Sequence, residues 1–224
     1  MSDTHLLQAT SGERAYGRIR HDILFGVLLP GRRLKLDQMR DLYGISISTM
    51  REILSRLCSE GLVLAEGQRG FSVSPVSQDE FRQIAAMREL LETHAMTESF
   101  RRGDVEWEAE VMAAHHRLSR MEEQILAGDR SLTEEWKRYD REFHRALIAA
   151  CGSGELLMAH ARIYDLYLRY QIIAVIFRGE VAADEHREFA RLALARDHAG
   201  ATRILRTHIS ACVEHTINNG LLPA

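Results

Sequence analysis

Two hydrophobic periods alternate along this chain, and the places where they change divide it into elements. From Ser11 to Val27 the apolar residues Tyr16, Ile19, Ile23 and Val27 fall on one helical face, and Leu29-Pro-Gly31 stops that helix. Met39 and Leu42 give a second, shorter helix its apolar side. Gly44 then lets the backbone turn, and Ser46 is placed to cap a third helix lined by Met50, Ile53, Leu54 and Leu57. After Gly61 the period drops to two. Gly67-Gln-Arg-Gly70 joins two short strands as a hairpin with Arg69 at its tip.

Ser74-Pro-Val-Ser-Gln78 carries turn-forming residues between two strongly patterned regions, which places a linker at 74–78 between a domain over 1–73 and a second over 79–224. The second domain reads as consecutive helices. Ser77 with Glu80 forms a capping box for a long helix with Phe81, Ile84, Arg88, Leu91 and Ala95 on one side. Asp104 opens the next, striped by Trp107, Val111, Ala114, Leu118, Met121 and Ile125, and Gly128 ends it. A third is expected from Ser131 through Ala150, a fourth from Glu155 to Phe177, a fifth from Ala182 to Ala195, and a sixth from Asp197 to Asn219. The fold class is therefore mostly α: a winged helix-turn-helix followed by an antiparallel all-helical bundle of about six helices.

Ser46, Ile47, Ser48, Thr49 and Arg51 crowd the start of the third helix, the end that a helix-turn-helix protein sets against base edges. Arg51 is the expected main contact, with Ser46, Ser48 and Thr49 as shorter-range donors and Ile47 against a thymine methyl. Arg69 on the wing is expected to meet the phosphate backbone or the minor groove. The plainer alternative is a helical hairpin with an incidental β-turn. It requires a capped helix, a glycine turn and a two-glycine wing to coincide by chance.

This order of elements resembles the winged-helix domain of the GntR family of bacterial transcription regulators. The resemblance is carried by Leu29-Pro-Gly31, by Gly44-Ile-Ser-Ile-Ser-Thr-Met-Arg-Glu-Ile-Leu54, and by Arg56-Leu-Cys-Ser-Glu-Gly-Leu-Val63 leading into Gly67, Gly70 and Val73. Ile47 stands where the family commonly has arginine, and Leu36-Asp37 replaces the usual Glu-Arg pair, so an operator sequence does not carry over from relatives.

Net charge is −3 over 224 residues, but it is unevenly spread. Residues 1–75 hold ten Arg or Lys against eight Asp or Glu, and the remainder hold nineteen against twenty-four. The basic excess lies in the expected DNA reader, and it is small enough that two copies are needed for useful affinity. Cys58, Cys151 and Cys212 are odd in number and widely spaced, which suits a reducing compartment. No run of eighteen apolar residues occurs, and Met-Ser-Asp-Thr-His lacks the order of a signal peptide, so a cytoplasmic protein without membrane contact is expected.

Within the bundle, Asp140 and His144 lie one turn apart on the face that carries Trp136, Phe143 and Leu147, so both point inward. A buried carboxylate beside a buried imidazole requires compensation, and a metal ion supplies it. His186 and His208 face the interior from the last two helices. Taken singly, each histidine is more simply a hydrogen-bonded core residue; four ligating groups at inward positions on three helices favour a divalent cation. Zinc, nickel, manganese and iron all accept one carboxylate and three imidazoles.

Met87-Arg-Glu-Leu-Leu-Glu92, Asp140-Arg-Glu-Phe-His144, Glu185-His186 and the stretch from Asp197 through His208 resemble the effector domain, of FCD type, in the FadR branch of the same family. The resemblance implies that Asp140, His144, His186 and His208 coordinate a divalent metal, and it implies a homodimer joined through the bundles. Ser153 stands where the family often has asparagine. Arg88 is a candidate partner for an effector carboxylate, its alternative being an ion pair with Glu92, and Tyr164 and Arg169 are candidates to line the same cavity. The expected function is a repressor that binds a near-palindromic double-stranded operator and responds to a small organic acid at the metal. A metal-responsive regulator without organic effector and a metalloenzyme are the alternatives.

Overall fold

A computed structural model describes residues 10–67, 70–173, 177–220 and 222–223. The chain divides into two compact units, Met1–Val76 and Ser77–Ala224.

In the first unit, α1 (Ser11–Leu24) opens on a capping box: the Thr10 hydroxyl accepts the Glu13 N–H at 3.1 Å, and the Glu13 carboxylate accepts the Thr10 N–H at 2.6 Å. Two short helices follow, α2 (Leu36–Tyr43) and α3 (Ile47–Ser59), separated by Gly44 in the left-handed conformation at φ +67. β1 (Arg33–Leu34), β2 (Val63–Ala65) and β3 (Phe71–Val73) form an antiparallel sheet in the order β1-β3-β2, with Leu34 opposite Phe71 and Val63 opposite Val73. Ile19, Ile23, Met50, Leu54, Leu57 and Val73 fill the core between these layers.

Two expected core positions lie outside it. Val27 is 60% exposed because α1 ends at Leu24 and Gly26 takes φ +74, which swings Val27 off the helical face while Leu24 and Leu28 turn inward. Leu42 is 57% exposed, and its neighbour Tyr43 is buried in its place, with the phenol donating to Asp22 at 2.5 Å.

The second unit comprises α4 (Gln78–Arg102), α5 (Val105–Leu126), α6 (Thr133–Ile148), α7 (Gly154–Ile173), α8 (Glu180–Leu194) and α9 (His198–Asn218). α4 packs against α6, α7 and α9, α5 packs against α6 and α8, and α8 packs against α9. Asp104 and Asp197 cap α5 and α9 as their positions predict, whereas Ser77 caps α4 with its hydroxyl alone, the Glu80 carboxylate accepting the Tyr170 hydroxyl at 2.5 Å instead of closing a capping box. Ser131 does not cap α6. Its backbone N–H donates to Asp129 at 3.0 Å in a short 3-10 turn, and α6 begins two residues later. The expected end of the fourth helix at Phe177 falls after residues 174–176, which lie outside the described residues.

The most consequential departure is on α5. Its buried line runs Trp107, Val111, Ala114, Leu118 and then Glu122, while Met121 and Ile125 stand at intermediate exposure. The steps run four, three, four and then four again where a three would continue the alternation, so the stripe drifts around the helix and a carboxylate enters the bundle.

Candidate metal centre and DNA-reading helix

At the start of α3 the Ser46 hydroxyl accepts the Thr49 N–H at 3.1 Å, and it lies 2.8 Å from the Ser48 hydroxyl and 2.9 Å from the Thr49 hydroxyl. One cap therefore gathers three hydroxyls at the positive end of the helix dipole. Ser46, Ser48 and Arg51 are exposed, and Ile47 and Thr49 are half-buried beside them. Arg69 lies outside the described residues.

In the second unit three helices aim imidazoles at one point. Ligating nitrogens of His144 on α6, His186 on α8 and His208 on α9 lie within 4.8 Å of one another. Asp140, one turn before His144, brings its Oδ1 to 3.3 Å from His186 Nε2 and 3.9 Å from His144 Nε2. All four side chains are buried.

The other face of each ring explains why they converge. Nδ1 of His144 lies 2.5 Å from Glu92, Nδ1 of His186 lies 2.6 Å from Glu122, and Nδ1 of His208 lies 2.7 Å from Glu185. An ionised carboxylate only accepts, so each Nδ1 carries the hydrogen, and in a neutral ring that leaves Nε2 with its lone pair. Arg88 and Arg178 approach the same Nδ1 atoms of His144 and His208, at 3.1 and 3.2 Å, because each shares the carboxylate with its imidazole. The Nε2 atoms of His144 and His186 are buried with no hydrogen-bond partner. Three neutral nitrogens and a carboxylate on a common point form a donor set for a divalent cation, with the second contacts that orient metal-binding histidines already in place.

The electrostatics agree. Burial lowers the pKa of His144, against the pull of Glu92. Burial, with the neighbouring His186, His144 and Arg88 outweighing Glu185, brings His208 down to about 3. Burial alone would raise Asp140, yet Lys137, His144, His186 and the Tyr164 hydroxyl hold it well below the ordinary carboxylate range. These shifts favour neutral imidazoles at His144 and His208 and an ionised carboxylate at Asp140, the protonation states that ligation requires.

Residues 11–73 match the family described as bacterial regulatory proteins, gntR family, and residues 83–211 match the FCD domain. The chain belongs to the GntR family. HTH-type transcriptional regulator BphR of Paraburkholderia xenovorans is 37% identical over 213 residues, covering 94% of this chain and 86% of that protein. HTH-type transcriptional repressor GlaR of Escherichia coli is 32% identical over 200 residues, covering 87% and 90% respectively. The structure of E. coli McbR/YncC shares the fold with a TM-score of 0.77 at 21% identity, over 95% of this chain and all of that one. These relatives are named as regulators of transcription, so this GntR-family chain is a DNA-binding transcription regulator with an FCD domain rather than an enzyme.

Within this regulator the three expected effector contacts fare differently. Arg88 is fully buried, with Nε donating to Glu92 at 2.9 Å and the guanidinium 4.5 Å from both the Tyr164 and Tyr167 rings. It is therefore the counter-ion of Glu92, the alternative that the spacing of the two residues offered, and its Nη1 remains without a hydrogen-bond partner. Tyr164 donates to Asp140 Oδ2 at 2.7 Å and so orients the carboxylate beside the histidines. Arg169 is placed electrostatically by Tyr170 and Glu80 and does not line the cavity at the histidines. Three residues not singled out from the sequence do line it: Lys137, Gln171 and Arg178. Lys137 lies one turn before Asp140 on the same helix, a spacing that could have marked it. The cavity offers about 10 Å³ for a water centre, room for one small species.

A histidine whose folded pKa is depressed takes up its proton more readily in the unfolded chain. Its contribution to stability is present above the ordinary value of 6.5 and fades as pH falls toward about 3. Metal-free protein should accordingly melt at progressively lower temperature from pH 6.5 downward, and His208→Gln should flatten that slope; thermal melts across this range check it.

Proposed function

We propose that this regulator is a repressor, acts as a homodimer on a near-palindromic operator, and holds a divalent cation on Asp140, His144, His186 and His208 at which a small organic acid binds. The observation that carries the metal reading is the common orientation of the three imidazoles, each with Nδ1 on its own carboxylate and Nε2 inward. The cation would supply positive charge and coordination positions for a carboxylate. The chain supplies the rest. Tyr164 fixes Asp140, and Lys137 is the group best placed to meet an incoming carboxylate, since its buried ammonium lies 2.9 Å from Gln171 Oε1 and 3.8 Å from Asp140. A relative named as a repressor supports that direction of control.

Because the cavity has room for about one water centre, an acid larger than that enters only if the bundle helices move apart, and such movement is what a change in operator affinity requires. The same dimension favours a second reading, in which the ion itself is the signal. Chelation that alters operator binding with no acid present would support it.

On the DNA side, Arg51 contacts a base or phosphate, with Ser46, Ser48 and Thr49 as shorter donors, Ile47 against a thymine methyl and Arg69 on the wing.

Two measurements test this reading. Glu122→Gln should weaken zinc binding by about ten- to a hundredfold in equilibrium dialysis of the full chain, since it takes away the negative charge behind His186 Nδ1 while leaving the ligating atoms in place; unchanged affinity would contradict the metal centre. Arg51→Ala should weaken specific operator binding by about 1–3 kcal/mol in a mobility-shift titration; unchanged specific affinity would remove α3 as the reading surface.

A further inference from the structure

A second cavity, separate from the histidine cluster, lies along α6 and α7. It measures about 500 Å³, within the range of small-molecule sites. Its apolar lining is Ile148 from α6 with Leu157 and Met158 from α7, and Met158 is 61% exposed. α6 contributes three arginines along the rim, and their partners distinguish them. Arg138 is paired with Glu135 at 2.9 Å, Arg141 with Asp165 at 2.8 Å, and Glu142, which also lines the groove, with Arg117 at 3.6 Å. Arg145 is exposed and makes no ion pair among the described residues. The groove thus joins one uncompensated guanidinium to an apolar surface.

Its back wall is formed by His160 and Tyr164, both buried. His160 Nε2 lies 3.1 Å from Glu92, the carboxylate that orients His144, and the Tyr164 hydroxyl donates to Asp140 at 2.7 Å. A molecule in this groove would press on the far side of two side chains that hold the histidine cluster in place.

We propose that the α6–α7 groove is a binding site for an organic acid with an apolar body, its carboxylate on Arg145 and its body against Met158, Leu157 and Ile148, and that His160 and Tyr164 couple this site to the metal centre. The site stands on the groove itself; only the coupling rests on the metal reading above. Coupling of this kind is reciprocal, so acid and metal should alter each other's affinity by one common factor.

Isothermal titration of the full chain with 4-phenylbutyrate, and with the uncharged 4-phenylbutyramide as control, tests the site. The acid should bind wild-type protein and the His186→Ala variant alike, and the amide should bind more weakly. Arg145→Glu and Met158→Asp, both at exposed positions, should each reduce acid affinity by about tenfold or more, the size of one charge-assisted contact or of one buried apolar side chain. No binding by wild-type protein at millimolar probe, or unchanged affinity in both variants, would overturn the site. Loss of binding in His186→Ala would assign the acid to the histidine cluster instead. Altered sedimentation of Arg145→Glu with unaltered acid binding would make the groove a protein contact. Zinc affinity unaffected by saturating phenylbutyrate would overturn the coupling, whereas acid binding by a chain that takes up no zinc would support the groove and end the metal reading.

Discussion

Each of the three inward imidazoles is held by a carboxylate behind it, and the bundle is arranged around those three pairs. Glu92 comes from α4, Glu122 from α5 and Glu185 from α8, while the rings they hold come from α6, α8 and α9. Five of the six bundle helices are tied to one point by these hydrogen bonds, and α7 joins through Tyr164 and His160. Without the carboxylates, buried rings would be free to choose either tautomer and either rotamer, and a ligating arrangement would be one outcome among several.

The charges of this region bear on the proposed cation. Asp140, Glu92, Glu122 and Glu185 supply four negative charges, and Arg88, Lys137 and Arg178 supply three positive ones, with the imidazoles neutral. The result is one net negative charge in a place where unpaired charge is expensive. A divalent cation would reverse the sign to one net positive charge, which attracts an organic anion. Lys137 is held in this balance too: burial lowers its pKa and the neighbouring Asp140 opposes that shift.

How far the sequence alone led depended on how much of each interaction lay within one helix. Asp140 and His144 are four apart on a single apolar face, and the winged helix-turn-helix is a run of local signals, caps and glycines. Both were legible. The partners of the histidines were not, because Glu92 and Glu122 reach them across 52 and 64 residues of chain, and helical period says which face is inward without saying which helix stands opposite. Arg88 shows the same gap. Its inward position was readable and Glu92 lies one turn on, but the rings of Tyr164 and Tyr167 that enclose its guanidinium come from a distant helix. Arg169 is equally buried yet does not line the cavity at the histidines, since five residues beyond Tyr164 a helix has turned to a different side.

The orientation of the imidazoles is open to direct observation. In nitrogen-15 spectra of metal-free protein at neutral pH, His144, His186 and His208 should each appear as a neutral ring protonated at Nδ1, and addition of zinc should shift the three Nε2 resonances together. Rings protonated at Nε2, or Nε2 resonances that ignore zinc, would contradict the account.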